Sequence, residues 1–214
     1  MLKKSILFFT FVLLSTLMTY ASIVPTSVSD IPSSTIGVYQ TDKKVTVYSE
    51  PDSKSAVVYE TEISYPKMIG RDADNMFAIL VPEKDLGYLY VTDTSDDESW
   101  VQVIYDKEGG RKGWVYKNDD FQFMPWVNFY NLYGRKYGLS MLKSDVLQIK
   151  GVFSNPDDNA HVLGKISRPK FIHMTSIEGI WMLVSILDMS GNTITGYIRW
   201  RDSNGAFFLF PVVK

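Results

Sequence analysis

The sequence predicts an all-β protein of two small barrels joined by a short, aromatic-rich linker with helical spacing. Three observations carry that expectation. From Val38 onward, β-branched and aromatic residues come in short runs. Gly, Pro, Asn and Asp clusters cut those runs every ~8–12 residues, the pattern of short antiparallel strands. The chain also matches itself twice, at offsets of 105 and 81 residues. Between the two copies, Phe121, Phe123, Trp126, Phe129, Tyr130, Tyr133 and Tyr137 crowd together.

The chain opens on Met1-Leu2-Lys3-Lys4, followed by an apolar stretch over Ser5–Met18 and then Thr19-Tyr20-Ala21. A basic start, an apolar segment of this length and a small residue before the cut describe a secretory signal peptide. Residues 1–21 are expected to be removed, with Ala21 the last residue lost. The apolar run is shorter than the ~20 residues a spanning helix needs, so no stable membrane span is expected in the mature form. Without Lys3 and Lys4 the chain holds 20 Lys and Arg against 24 Asp and Glu. That balance argues against nucleic acid as a partner. Cysteine is absent altogether, which rules out disulfides, thiolate metal sites and a thiol nucleophile. A periplasmic or secreted location follows as the expectation.

Residues 22–35, rich in Ser and Thr with Pro25 and Pro32, read as an exposed linker. The first barrel is expected over 36–123. Val47-Tyr48-Ser49-Glu50-Pro51-Asp52 matches Val152-Phe153-Ser154-Asn155-Pro156-Asp157 of the second copy. In each, a strand runs into a turn whose Pro presets a dihedral and whose Asp can bond the following backbone. Trp100–Tyr105 then matches Trp181–Ile186, and each leads through a Gly-containing turn to Gly113-Trp114-Val115-Tyr116 or Gly196-Tyr197-Ile198-Arg199. The shorter second offset leaves about 24 extra residues in the first copy, read as an inserted hairpin over 76–91 with no counterpart. Residues 124–140 form the linker, where aromatics at i, i+3, i+4 and i+7 from Trp126 define a helical stripe whose last turn Gly134 ends or loosens. That stripe is expected to be packed between the barrels. The second barrel covers 141–214.

The runs VTVYSEPDSKSAVV and WVQVIYDKEGGRKGWVYKND resemble the bacterial SH3-like domain family, and LQIKGVFSNPDDNAHVLGKI with WMLVSILDMSGNTITGYIRWRD is similar. The order of Trp strand, hairpin and Gly-aromatic-apolar strand carries the likeness across most of residues 36–208. The first copy departs from the family at Thr46-Val47-Tyr48, and the second has Gly196-Tyr197 where Gly-Trp is usual. The resemblance implies bent five- to six-stranded barrels and an extracytoplasmic binding or targeting role.

No enzyme constellation assembles, and no cofactor is implied. Gly138-Leu139-Ser140-Met141 lacks the closing glycine of a nucleophile elbow. Asp72-Ala73-Asp74-Asn75 begins like a calcium loop but lacks its glycine and terminal glutamate. The two histidines, His161 and His173, receive no role. A noncatalytic protein recognising cell-wall peptide or glycan is therefore expected, with Tyr48, Trp100, Trp114, Tyr116, Phe153, Trp181, Tyr197 and Trp200 as candidate ligand-binding residues. Aromatics offer flat apolar area with a polar tip, which suits peptides and sugars alike. The alternative is an interaction or inhibitory protein that docks one exported envelope protein through the aromatic joint and the inserted hairpin.

Overall fold

The computed structural model describes residues 22–41, 44–62, 71–117, 119–144, 149, 151–166 and 169–214. Residues 1–21, where a signal peptide is expected, lie outside them. The first half holds β1 (Gly37–Gln40), β2 (Lys44–Tyr48), β3 (Val57–Glu62), a short helix α1 (Arg71–Met76), β4 (Ile79–Val81), β5 (Leu86–Thr94), β6 (Trp100–Asp106), β7 (Arg111–Tyr116) and β8 (Phe123–Pro125). The second half holds β9 (Leu139–Met141), β10 (Val152–Phe153), β11 (Val162–Gly164), β12 (Pro169–Glu178), β13 (Trp181–Asp188), β14 (Thr193–Arg199) and β15 (Leu209–Pro211). The protein is all-β, as the short apolar runs require.

The two sheets have one topology. The first runs β3-β2-β7-β6-β5-β1-β8, and the second runs β11-β10-β14-β13-β12-β9-β15. Each strand of the first path has a counterpart at the same place in the second. The matched loops keep the same hydrogen bonds. Ser49 N–H reaches the Ala56 carbonyl and Ser154 N–H reaches that of His161. The Asp52 carboxylate accepts from Lys54 N–H at 2.9 Å and that of Asp157 from Asn159 N–H at 2.8 Å. Glycine is needed where β7 and β14 lie against β2 and β10. A Cβ on Gly113 would come within 2.5 Å of Val47 Cγ1, and one on Gly196 within 2.6 Å of the Phe153 carbonyl oxygen. The repeat therefore resides in packing as well as in letters.

The halves are open sheets, where closed barrels were expected: among the described residues, each path ends on unpaired outer strands. The inserted hairpin over 76–91 also needs correction. β4 does pair with β5, through Ile79↔Tyr88 and Val81↔Leu86. However, β5 occupies the place of β12, so among the described residues α1, β4 and the 3-10 turn Pro82–Lys84 are what the first half adds between β3 and β5. Met76 and Phe77 close the helix and bury in the core of the first half instead of starting a strand. A short apolar run cannot by itself distinguish a buried helix end from a strand.

Two apolar clusters hold the molecule together. One is internal to the first half, where Val45, Val47, Val101, Val103 and Val115 meet Ala73, Met76 and Phe77. The other spans both halves and includes Trp126, Phe129 and Tyr130 with Tyr88 and Tyr90 on one side and Trp200, Phe207 and Phe210 on the other. These linker residues lie on α2 (Trp126–Phe129) and a following π turn (Tyr130–Gly134), which continues into α3 (Arg135–Tyr137). Trp126 packs against Phe207 with ring centroids 5.1 Å apart, and its indole N–H donates to the Thr35 carbonyl at 3.0 Å. The Tyr130 hydroxyl donates to the Leu209 carbonyl. Burial pushes the Tyr88 and Tyr90 hydroxyls far above the usual tyrosine range. Trp126, Phe129 and Tyr130 of the stripe are core, as expected, while Tyr133 and Tyr137 are half-buried. The helical segment runs through Gly134, whose missing side chain admits Leu139 and Met174, and stops at Gly138, where φ is 84°.

Residues 22–35 are not an exposed tether. Ile23 exchanges both backbone bonds with Leu80 at 2.8 and 2.9 Å, adding to the outer edge of β4. Val28 N–H bonds the Lys143 carbonyl in the second half, and Ile31 buries in the shared cluster. Ser27 and Asp30 form a capping box around the 3-10 turn Val28–Asp30. The segment is a strap across both halves. Ser and Thr dominate its composition because they cap and bond the backbone, which in isolation resembles linker chemistry.

Candidate functional site

Each half carries one tryptophan at the start of its central strand, nearly covered by neighbours from the next two strands of the sheet. Trp100 meets Tyr48 and Tyr116 edge-on, at centroid distances of 5.4 and 5.2 Å. Trp181 meets Phe153 edge-on at 5.5 Å, and the Arg199 guanidinium lies over its ring at 5.1 Å. The register explains the likeness, since Trp100 pairs with Tyr116 and Trp181 with Arg199. Paired residues share a face of the sheet.

The coverings differ. Tyr116 is 61% exposed, the most open aromatic ring among the described residues. Arg199 instead is tied down by Asp158, which accepts from its Nε at 2.9 Å and from Nη2 as well. Asp158 stands where the first copy has Ser53, so no equivalent clamp can form there.

A surface cleft of about 600 Å³ opens beside Tyr116, and this volume is within the usual ~300–1,000 Å³ of ligand sites. Phe121, Phe123 and Pro125 supply its apolar lining, and Glu98, Lys117 and Asp119 supply charge. Thr94, Ser99 and Gln122 complete it with neutral polar groups. A smaller cleft of about 220 Å³ lies on the other side of Tyr116, against Tyr48, Thr46 and Lys44. Tyr116 is thus a ridge between two depressions.

The second half fills the corresponding place. Lys117 N–H bonds the Ser99 carbonyl at 2.9 Å, and in the same register Trp200 N–H bonds the Ile180 carbonyl at 3.1 Å. Trp200 is completely buried, with its indole N–H donating to the Gly179 carbonyl at 2.9 Å. Where the first half presents a lysine at a cleft, the second half inserts an indole into the shared core.

The residue two before each tryptophan has a left-handed backbone, with φ 57° at both Glu98 and Gly179. Glycine adopts this conformation freely, whereas an L side chain costs roughly 1–2 kcal/mol there. Asp85 is the other non-glycine residue with positive φ among those described, and Asp tolerates the region better than Glu. The turn holding Glu98 is braced around Ser95. Glu98 N–H bonds the Ser95 carbonyl at 2.8 Å, and the Ser95 hydroxyl accepts from Trp100 N–H at 3.0 Å. The Ser95 hydroxyl and Ser99 N–H both donate to Asp97, which lowers that carboxyl below its usual range.

The eight sequence candidates therefore separate. Tyr48, Trp100 and Tyr116 come together beside the clefts. Trp114 and Tyr197 are half-buried at equivalent register positions. Phe153 and Trp181 are mostly covered, and Trp200 is core, so it drops out as a contact residue. Sequence reading counted Phe121 and Phe123 among the aromatics crowding between the copies and gave Glu98, Lys117, Asp119 and Gln122 no ligand-binding role. The visible signal for Glu98 was its alignment with Gly179 ahead of the matched tryptophans. His161 and His173 are exposed, the latter stacked on Phe171. Among the described residues no group of His, Asp and Glu is arranged to hold a metal ion, and no helix is long and apolar enough to cross a membrane. Asp72, Asp74 and Asn75 lie in α1.

Neither comparison with protein-family models nor comparison with curated proteins finds a match for this chain.

Proposed function

We propose that the protein is an exported, noncatalytic binding module of SH3-like type that recognises a cell-envelope ligand, the peptide or glycan of the wall, through its first half. The observation that carries this reading is Tyr116: an aromatic ring propped on Trp100, largely exposed, and bordering both the 600 Å³ cleft and the smaller one. An exposed ring held edge-on by a second ring loses little freedom on contact and offers apolar area with a polar tip. The two surfaces that would serve docking to an envelope protein do not favour that alternative. The central rings of the aromatic joint, Trp126, Phe129 and Tyr130, are buried, and the outer edge of β4 is already paired with Ile23.

The reading is tested by sedimenting residues 22–214 with purified cell wall. The parent protein should co-sediment, and Tyr116→Ala should lose most of that binding while melting within a degree or two of the parent, because exposed positions change stability by only ~0.5 kcal/mol. A parent protein that stays in the supernatant overturns the reading.

A further inference from the structure

The cleft beside Tyr116 has a donor and acceptor inventory that selects among ligands. Glu98 and Asp119 offer carboxylates that only accept hydrogen bonds, Lys117 offers an ammonium that only donates, and Ser99 and Gln122 do both. A ligand rich in carboxylate or phosphate would face two like charges. An ammonium-bearing ligand would satisfy the carboxylates but meet Lys117. A neutral molecule with many hydroxyls both donates and accepts at neighbouring atoms and can satisfy every one of these groups. Its ring faces would lie on Tyr116 and Phe121, the apolar parts of the same wall.

Glu98 is where this chemistry is built in against the local backbone preference. Its φ of 57° matches that of Gly179, and a Cβ at Gly179 would meet nothing within 4 Å. Space therefore does not dictate glycine in the second half; backbone conformation does. The first half places a carboxylate-bearing side chain at the same strained position, on the rim of the only one of the two equivalent places that is open.

Resting on the reading of this cleft as the ligand site, we infer that it takes an uncharged glycan, one site per chain, and that Glu98 is its specificity-determining residue, accepting hydrogen bonds from sugar hydroxyls.

The experiment is calorimetric titration of the full mature chain with N-acetylchitotetraose, and with its deacetylated, cationic form. The neutral tetramer should bind at a stoichiometry near one and the cationic one more weakly. Glu98→Gly, which places the second half's residue in the same backbone, should melt at or above the parent, since it relieves the left-handed side chain, and bind the neutral tetramer at least tenfold more weakly. Glu98→Gln keeps one acceptor and should recover part of the loss. Unchanged affinity in Glu98→Gly, tighter binding of the cationic tetramer, or two sites per chain would each overturn the inference. Sedimentation with wall but no affinity for the neutral tetramer also overturns the glycan assignment, while leaving the envelope-binding reading standing. Absence of both defeats both.

Discussion

The two halves are the same sheet finished differently at one end. They share strand order, the Pro-Asp loop with its hydrogen bonds, and the glycine at which one strand closely approaches its sheet neighbour. They part at one end. There the first half leaves Tyr116 exposed above a cleft, and the second clamps Arg199 with Asp158 and buries Trp200 in the joint. Positions where backbone approaches backbone tolerate no Cβ, so they persist in both copies. Positions at the sheet's end can be either solvent-facing or core, and the fate of one residue, Lys117 or Trp200, decides which.

The cores are as unequal as the surfaces. The first half has its own cluster, while the interior of the second runs without a break into the joint. The largest expected effect tests that inequality. Replacing Trp126 and Phe129 by Ala removes two fully packed rings, and each such truncation typically costs ~3–5 kcal/mol. Hydrogen exchange on the double variant should show protection lost from β12–β14 while the interior valines of β2, β6 and β7 keep theirs. Equal loss in both halves would mean that they fold as one unit.

Next in size is the matched pair at the sheet's end. Trp200→Ala should cost ~3–5 kcal/mol and strip the Gly179 carbonyl of its indole donor. Lys117→Ala, at the same register position, should change stability by only ~0.5 kcal/mol. Chemical denaturation of both variants measures the contrast directly. Similar losses would erase the distinction between filled and open ends.

The smallest effect separates the two hairpin turns. Asp106 accepts from Gly109 N–H, the Asn75 side chain and Arg111, and these hold its carboxyl down at about 2. Asp188 is also lowered, chiefly by Asn192 N–H. Unfolded, such a carboxyl titrates near ~3.9, so its stabilising contribution is full above that pH and lost as pH falls toward about 2. Asp106 also links α1 to the hairpin through Asn75, which Asp188 has no means to do. Asp106→Asn should therefore flatten the decline in urea midpoint between pH 5 and 2 more than Asp188→Asn does. Equal flattening would show that the α1 link contributes nothing in this window.

Local chemistry made much of this legible in the sequence. Strand content, the two copies, the Pro-Asp turns and the aromatic stripe all arise from residue spacing and turn preference, which act over a few neighbours. The strands β1, β9, β8 and β15 that complete each sheet escaped notice because three or four residues carry no period of their own and are defined by the partners they pair with. The strap over 22–35 resembled a linker because its Ser and Thr residues satisfy backbone groups whether or not it is docked. What the sequence by itself determined was the repeated unit and its turns. Which ring is core and which is surface, that Trp200 is buried while Tyr116 stands open, and that Glu98 sits on a glycine's backbone beside a cleft were decided by the tertiary structure alone, because burial depends on residues distant in the chain that only the assembled sheets bring together.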